Sequence, residues 1–325
     1  MTIEKFKINL PDSALEDLHR RLDATRWPEA LENVDWQMGS DLCFMKSLAD
    51  YWRNSYNWRE QETLLNQLPQ YRAAIDGFHI HFVHVRSKVP KPMPLIITAL
   101  WKLLMAELGY QRFGAQGGDW GSAVSTALGL EYPESIVGIH LNYIAGRFLL
   151  GGSLNQSPDD QIAKGFLVEL RKWWDEEGGY SHIQSTRPQT LGYGLNDSPV
   201  GLAAWIIEKF RAWSDCNGNV ESVFTRDELL TNVMIYWVTQ TITSSTRLYY
   251  ETRERPIKLS PANRVKPPVA VALFPGEIAM PPRELAERGY NIVRWTTMPR
   301  GGHFAAMEQP ELLAQDLRDF FRPLR

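Results

Sequence analysis

The segment Gly117-Gly118-Asp119-Trp120-Gly121 combines a carboxylate with the small residues that a tight turn requires. It lies between a stretch typical of a strand and a stretch typical of a helix. The form Gly-x-nucleophile-x-Gly is that of a strained elbow, which exposes a nucleophile above a sheet. With aspartate in the centre, the expected chemistry is attack of a carboxylate on an sp³ carbon, giving an ester that water then hydrolyses. The alternative is that Asp119 only caps the following helix.

Two further residues follow Asp119 in the chain order of a nucleophile, an acid and a base. Glu277 comes just after a predicted strand, and His303 follows two glycines near the C-terminus. A histidine there can activate the hydrolytic water, and Glu277 can orient it. Taken singly, His303 is more simply a loop histidine and Glu277 a solvated carboxylate. The order of the three residues favours the catalytic interpretation.

The composition limits the classes of function. The chain has 325 residues and 44% hydrophobic content, which predicts one compact unit with an inserted or appended subdomain. Its formal net charge of -3 gives no basic surplus for nucleic acid. Cys43 and Cys216 are far apart, so we predict neither a zinc site nor a disulfide framework, and a reducing, cytoplasmic setting fits. We expect no integral membrane segment, since no apolar run approaches the roughly 20 residues that span a bilayer.

The spacing of apolar residues predicts the elements that position these groups. Residues 6–58 have helical spacing, and after Pro69 the period becomes two, with a hairpin turn at Asp76-Gly77. Alternating strand and helix patterns begin at residues 94–98 and resume near the C-terminus, with a tryptophan-rich helical segment between them. We therefore expect four regions: a helical arm (1–69), the first part of an α/β core (70–144), a helical cap (145–264) and the second part of the core (265–325).

Six motifs resemble those of the microsomal and juvenile-hormone type of epoxide hydrolase, and they cover most of the chain. The resemblance implies an α/β-hydrolase fold with an N-terminal helical arm and an inserted helical cap. It implies conversion of a small apolar epoxide to a vicinal diol without metal or organic cofactor, and it leaves a homodimer open. The motifs are Phe6-Lys7-Ile8-Asn9-Leu10-Pro11-Asp12, Thr25-Arg26-Trp27-Pro28, Gln116-Gly117-Gly118-Asp119-Trp120-Gly121-Ser122, Gly179-Tyr180-Ser181-His182-Ile183-Gln184, Leu195-Asn196-Asp197-Ser198-Pro199-Val200-Gly201-Leu202 and Pro299-Arg300-Gly301-Gly302-His303-Phe304.

The resemblance also implies roles for individual residues. Asp119 is the nucleophile, His303 the base and Glu277 the partner of the base. The backbone amide of Trp120 is a donor to the oxyanion that forms when water attacks the ester.

Two cap tyrosines, Tyr180 and Tyr249, match the family pair that donates hydrogen bonds to the epoxide oxygen. A phenol with a pKa near 10 suits this role, because ring opening produces an alkoxide. Tyr193 and Tyr250 are close enough in sequence to be alternatives, and any of these side chains can instead be an aromatic core residue. A haloalkane dehalogenase also uses an aspartate, but it needs halide-binding donors in place of paired tyrosines.

The chain departs from the family after its first central strand. The family has a His-Gly-Trp-Pro loop there, then a helix, a strand and a Gly-Tyr-Gly-Phe turn, whereas this sequence passes from Thr98 directly into Ala99-Leu100-Trp101. One oxyanion donor is thereby lost, and such a loss costs about 10²–10³ in rate. We expect the central sheet to lack one strand, unless the hairpin at residues 71–86 shifts across. The alternative function is an impaired or inactive remnant that acts as a binding protein.

Overall fold

The computed structural model describes residues 2–88, 93–97, 102–150, 160–253 and 256–325. The strands are β1 (Thr2–Lys5), β2 (Gln70–Ile75), β3 (Phe78–Val83), β4 (Leu95–Ile97), β5 (Phe113–Gly117), β6 (Ile136–Leu141), β7 (Val265–Leu273) and β8 (Tyr290–Thr297). The α-helices are α1 (Asp12–Asp23), α2 (Leu42–Asn54), α3 (Trp58–Leu65), α4 (Lys102–Glu107), α5 (Asp119–Glu131), α6 (Gln161–Glu177), α7 (Gly179–Thr186), α8 (Pro188–Asp197), α9 (Pro199–Trp213), α10 (Arg226–Thr239), α11 (Ile242–Arg253), α12 (Arg283–Ala286), α13 (Ala305–Glu308) and α14 (Pro310–Phe321).

A parallel five-stranded sheet, in the order β4-β5-β6-β7-β8, forms the central layer. Its inner strands are apolar on both faces, and Ala115, Ile139 and Val271 have no exposed surface. Continuous apolar strands suit a sheet that helices cover on both sides. Helix α5 packs against β5, β6 and β7, while α14 contacts β6 and β7. The α/β architecture predicted from the alternating patterns is confirmed.

A second, antiparallel sheet has the order β1-β2-β3. The predicted hairpin turn joins β2 to β3, and its residues Asp76 and Gly77 have positive φ values of 48° and 82°. Strand β1 pairs with β2 from Thr2 opposite Ala74 to Lys5 opposite Tyr71. The helical spacing of the N-terminal arm does not predict β1. All four of its residues are exposed, so it has no apolar alternation that would indicate a strand.

The two sheets do not pair with each other within the described ranges. The hairpin has therefore not shifted across to the central sheet; it packs against α4 through Ala73, Ile75 and Leu104. Strand β3 is left with exposed apolar side chains such as Phe78, which is 73% exposed. Separation of the hairpin sheet from the central sheet is expected if a strand that would lie between them is missing. Thr98, where the sequence departs from the family, lies outside the described residues.

The N-terminal helices and the cap share one hydrophobic core. Leu18 of α1 and Trp52 of α2 pack in the same buried cluster as Ile207 of α9 and Leu230 of α10. The N-terminal helices therefore support the cap helices. Helices α7 and α11 of the cap contribute side chains to the cavity at Asp119, at the carboxyl end of β5.

Three further observations concern the described part of the chain. No helix there combines the length and apolar character that crossing a bilayer requires. No group of three or more histidine, cysteine, aspartate or glutamate side chains there is arranged to hold a metal ion. Cys43 is exposed and Cys216 is buried, and both are free thiols.

Candidate active site

Asp119 lies at the sharp turn between β5 and α5. Its φ of 43° is in the left-handed region, which a non-glycine residue adopts when its surroundings hold it there. Gly117 permits the turn, because a Cβ at that position would lie 2.1 Å from the carbonyl oxygen of Gly121. Helix α5 has Gly118 as its N-cap and no side-chain cap bond, so the alternative role of Asp119 as a helix cap is wrong. Its side chain is 51% exposed and therefore accessible.

His303 and Glu277 form a buried pair beside Asp119. Nδ1 of His303 lies 2.6 Å from Oε1 of Glu277, and the two side chains are 4% and 1% exposed. The backbone N–H of Ile278 also donates to Oε1 of Glu277, at 2.9 Å. This arrangement leaves Nε2 of His303 directed to Asp119, with 4.0 Å between it and Oδ2 of that residue. A carboxylate on Nδ1 can fix the ring orientation and stabilise an imidazolium.

Of the four candidate tyrosines, the structure brings two together. Tyr180 of α7 and Tyr249 of α11 line the same cavity as Asp119, and their ring centroids are 5.9 Å apart at an interplanar angle of 80°. Tyr193 and Tyr250 are 74% and 46% exposed and do not line this cavity. The geometry therefore favours Tyr249 over its neighbour.

Comparison with known proteins places this chain in a family. Residues 3–108 match the family model described as the epoxide hydrolase N terminus. A protein of Stigmatella aurantiaca is 38% identical over 382 residues, which cover 99% of this chain and 86% of that protein. Epoxide hydrolase 1 of Sus scrofa is 33% identical over 406 residues, covering 98% of this chain and 88% of the relative. This chain belongs to the epoxide hydrolase family.

A solved structure of an epoxide hydrolase has the same fold. The crystal structure of juvenile hormone epoxide hydrolase from the silkworm Bombyx mori superposes with a TM-score of 0.85 at 28% identity, and the match covers 100% of this chain and 95% of that chain.

The sequence alignments with the relatives extend over more positions than the 325 residues of this chain. The relatives therefore carry internal residues that this epoxide hydrolase lacks.

Three carboxylates determine the protonation of His303 in this epoxide hydrolase. Burial disfavours the imidazolium, but the charges of Glu277, Asp119 and Glu308 outweigh it and raise the pKa of His303 to about 9. Burial also raises the pKa of Glu277, and the interaction with His303 opposes that rise. The imidazolium therefore depends on carboxylates from three separate parts of the chain.

Tyr180 and Tyr249 differ in acidity. Burial and the charge of Asp119 raise the pKa of Tyr249 to about 12. Burial and the neighbouring Tyr249 raise the pKa of Tyr180 further, and the interaction between the two hydroxyls raises it again while lowering that of Tyr249. Both phenols are therefore protonated near neutral pH, and Tyr249 is the stronger acid of the pair.

Trp120 follows Asp119 in the first turn of α5. A backbone N–H in the first turn of a helix has no acceptor within that helix, so it can donate to an oxyanion that forms at Asp119. The Trp120 ring contacts Tyr249 at a centroid distance of 4.9 Å. Trp120 thus follows Asp119 in the chain, and its ring contacts Tyr249, one of the two predicted acids.

The cavity has a volume of about 70 Å³, and seven of its fifteen lining residues are aromatic. Most of the lining residues are not predicted from the sequence, among them Tyr143, Arg147 and Trp173. Tyr143 lies two residues beyond β6, with its ring centroid 5.9 Å from that of His303. Its place after a parallel strand is a signal that could have been used, because functional residues gather at the carboxyl ends of such strands. Trp173 gives no such signal, since it continues an ordinary helical pattern.

Proposed function

We propose that this enzyme opens an epoxide through a covalent ester on Asp119 and releases a vicinal diol. The observation that carries the proposal is the position of Asp119 between two kinds of group. The protonated phenols of Tyr180 and Tyr249 line its cavity, and the imidazole of His303 stands 4.0 Å from its carboxylate. Ring opening requires a nucleophile and an acid, and ester hydrolysis requires a base.

In the first step, an oxygen of the Asp119 carboxylate attacks one epoxide carbon, and the bond from that carbon to the epoxide oxygen breaks. The oxygen becomes an alkoxide and takes a proton from Tyr249, supported by Tyr180. We assign the proton to Tyr249 because burial and charge raise its pKa less than that of Tyr180. The product of this step is a hydroxyalkyl ester of Asp119 and a tyrosinate.

In the second step, water attacks the carbonyl carbon of the ester and gives a proton to Nε2 of His303. The tetrahedral intermediate collapses to the diol and the Asp119 carboxylate, and His303 is left as the imidazolium. Ester formation removes the negative charge of Asp119, which is one of the charges that raise the pKa of His303. Before water attacks, the imidazolium therefore gives up its proton, which restores the tyrosine through solvent, and the neutral imidazole can act as the base.

The substrate is a small apolar epoxide, since Trp120, Phe148, Leu170, Trp173 and Trp174 line the cavity. The paired tyrosines favour an epoxide over a haloalkane, because a halide leaving group takes no proton from a phenol. We assign no metal or organic cofactor to either step.

A second candidate is an impaired or inactive remnant that acts as a binding protein. Two observations favour it: the sequence lacks the His-Gly-Trp-Pro loop, and the hairpin sheet is separate from the central sheet in the described ranges. With the Trp120 amide as the remaining donor, ester hydrolysis is expected to be slower than ester formation, since the oxyanion arises in hydrolysis.

The test is diol formation from styrene oxide by the purified full chain beside Asp119→Ala. The matched control is Asp76→Ala, because Asp76 is an exposed aspartate with a similar positive φ, 48°, in the hairpin turn. Circular dichroism establishes that each variant is folded. We expect turnover in the wild-type chain and in Asp76→Ala, and none in Asp119→Ala.

The outcomes separate the candidates. Diol formation that survives in Asp119→Ala contradicts the ester mechanism. A folded wild-type chain that forms neither diol nor ester supports the inactive remnant. Ester that forms on the Asp119 peptide but turns over slowly supports an active nucleophile with impaired hydrolysis.

A further inference from the structure

The loop that carries His303 is bound to the cap by its backbone. The N–H of His303 donates to the carbonyl oxygen of Trp213, the last residue of α9, at 2.8 Å. The N–H of Gly301 donates to Oδ2 of Asp215 at 2.9 Å. The approach is close, because a Cβ on Gly302 would lie 2.6 Å from the Trp213 oxygen. The position of the imidazole thus depends on the cap segment that follows α9.

A single carboxylate, that of Glu308, joins both sides of this contact. Its Oε2 accepts the backbone N–H of Asp215 from the cap, at 2.8 Å. Its Oε1 accepts the backbone N–H of Phe304, the residue after the base, at 3.0 Å. The amide of Gly302 also interacts with this carboxylate. Glu308 lies in α13, directly after the loop that carries His303 (the base loop), so one carboxyl side chain holds the base loop against the cap.

We propose that Glu308 is a positioning residue for His303, holding the base loop against the cap and supplying negative charge to the imidazolium during ester hydrolysis. The proposal rests on the assignment of His303 as the base. The role is distinct from that of Glu277, which binds Nδ1 directly. Glu308 acts through backbone amides and through its charge.

The charges around His303 explain why Glu308 matters most in the second step. The His303 imidazole faces the carboxylates of Glu277 and Asp119 and the ring of Tyr143. Glu308 contributes a further negative charge to its surroundings. Once Asp119 is an ester, Glu277 and Glu308 remain to stabilise the proton that His303 accepts. Burial and the nearby Asp215 raise the pKa of Glu308, while its backbone hydrogen bonds lower it.

Two variants separate charge from position. Glu308→Gln keeps the length, but it removes the charge and replaces one acceptor oxygen with an NH₂ group that faces a backbone N–H. Glu308→Asp keeps the charge, but it is too short to reach both sides of the contact. Glu311→Gln, at an exposed glutamate in the first turn of α14, is the matched control.

The first measurement is the NMR titration of the His303 imidazole in the full chain, assigned by comparison with His303→Gln. We expect Glu308→Gln to lower the titration midpoint by about half a pH unit, and Glu308→Asp and Glu311→Gln to leave it in place. This measurement does not require turnover. It therefore tests Glu308 even if the chain forms no ester.

The second measurement is the single-turnover hydrolysis of the ester formed from styrene oxide, followed by rapid quench against pH. In Glu308→Gln we expect the hydrolysis rate on the plateau of the pH–rate profile to fall about tenfold. We also expect the acid limb of that profile to move to lower pH. In Glu308→Asp we expect the plateau to fall with the limb unmoved. An unmoved His303 titration and acid limb in Glu308→Gln would overturn the proposal, even if hydrolysis slowed. Absence of ester in the wild-type chain would instead contradict the proposed function.

Discussion

Nε2 of His303 stands 4.0 Å from Oδ2 of Asp119. A direct hydrogen bond between such atoms spans about 2.7–3.2 Å, so the imidazole does not engage the nucleophilic oxygen directly. In the proposed mechanism, Asp119 therefore keeps an oxygen free to attack an epoxide. The proposed ester would have the His303 imidazole close to its carbonyl carbon, at a distance that suits activation of water.

Loss of the base should separate the two chemical steps. We expect His303→Gln to form the ester on Asp119 and to hydrolyse it about 10²–10⁴ times more slowly than the wild-type chain. Mass spectrometry of the denatured protein after mixing with styrene oxide should show the mass of one substrate added. His79→Gln, at an exposed histidine of β3, is the control and should hydrolyse the adduct at the wild-type rate. A variant that forms diol at the wild-type rate would contradict the role of His303.

The paired tyrosines should control ester formation. We expect Tyr249→Phe and Tyr180→Phe each to slow this step by about tenfold or more, and the double variant to slow it further, because the alkoxide loses its acidic donors. The measurement is the rate of adduct formation under single-turnover conditions. Tyr250→Phe, which changes an exposed neighbour, should behave as the wild-type chain does. Wild-type rates in all four variants would exclude the tyrosines as acids.

The pH dependence of the free energy of unfolding should reveal the raised pKa of His303 without any assay of activity. The folded-state pKa is about 9 and the ordinary value is 6.5, so the folded chain binds its proton more tightly than the unfolded chain. This stabilisation is fully present below about pH 6.5 and is lost as the pH rises through about 9. Urea unfolding at several pH values should show this loss in the wild-type chain and not in His303→Gln. His79→Gln should retain it.

The candidate catalytic residues were easier to predict from the sequence than the elements around them. Asp119, Glu277 and His303 carry local signals, since each lies in a short segment next to a predicted strand. Strand β1 pairs with β2 from Thr2 opposite Ala74, so the partner that makes it a strand lies far along the chain. Local spacing of apolar residues cannot reveal such a pairing, and it therefore predicts only a helical arm.

The contact between Glu308 and Asp215 shows the same limit within the site. The acceptor is a side chain, but the donors are backbone amides, which every non-proline residue has. Residue type therefore gives no indication that the base loop and the cap meet at this point. The cavity wall at Trp173 likewise depends on how α6 docks, and only the folded chain determines that.

A buried ionic network should stabilise the central sheet. Asp316 of α14 is 3% exposed and accepts hydrogen bonds from Arg294 and Thr296 of β8, with Nε2 of His140 at 2.9 Å. Burial raises the pKa of Asp316, but these hydrogen bonds outweigh it and lower the pKa to about 2. The stabilisation is present above the ordinary carboxyl pKa and is lost as the pH falls through about 2.

We therefore expect Asp316→Ala to lower the free energy of unfolding by about 3–5 kcal/mol at neutral pH, since it leaves a partly buried guanidinium unpaired. Urea unfolding monitored by tryptophan fluorescence gives this value. Asp319→Ala, on the same helix in a more exposed ion pair, should change it by about 1 kcal/mol or less. A small effect of Asp316→Ala would mean that solvent or neighbouring groups replace the carboxylate.

Trp173 should set the size of the substrate. Its indole lines both the active-site cavity of about 70 Å³ and a neighbouring cavity of about 520 Å³. Because Trp173 lines both cavities, we expect Trp173→Ala to join the two spaces. We expect kcat/KM for trans-stilbene oxide to rise about tenfold relative to that for styrene oxide. Lys172→Ala, which alters the outer cavity alone, should leave the ratio unchanged. If the ratio also stays constant in Trp173→Ala, another part of the site limits substrate size.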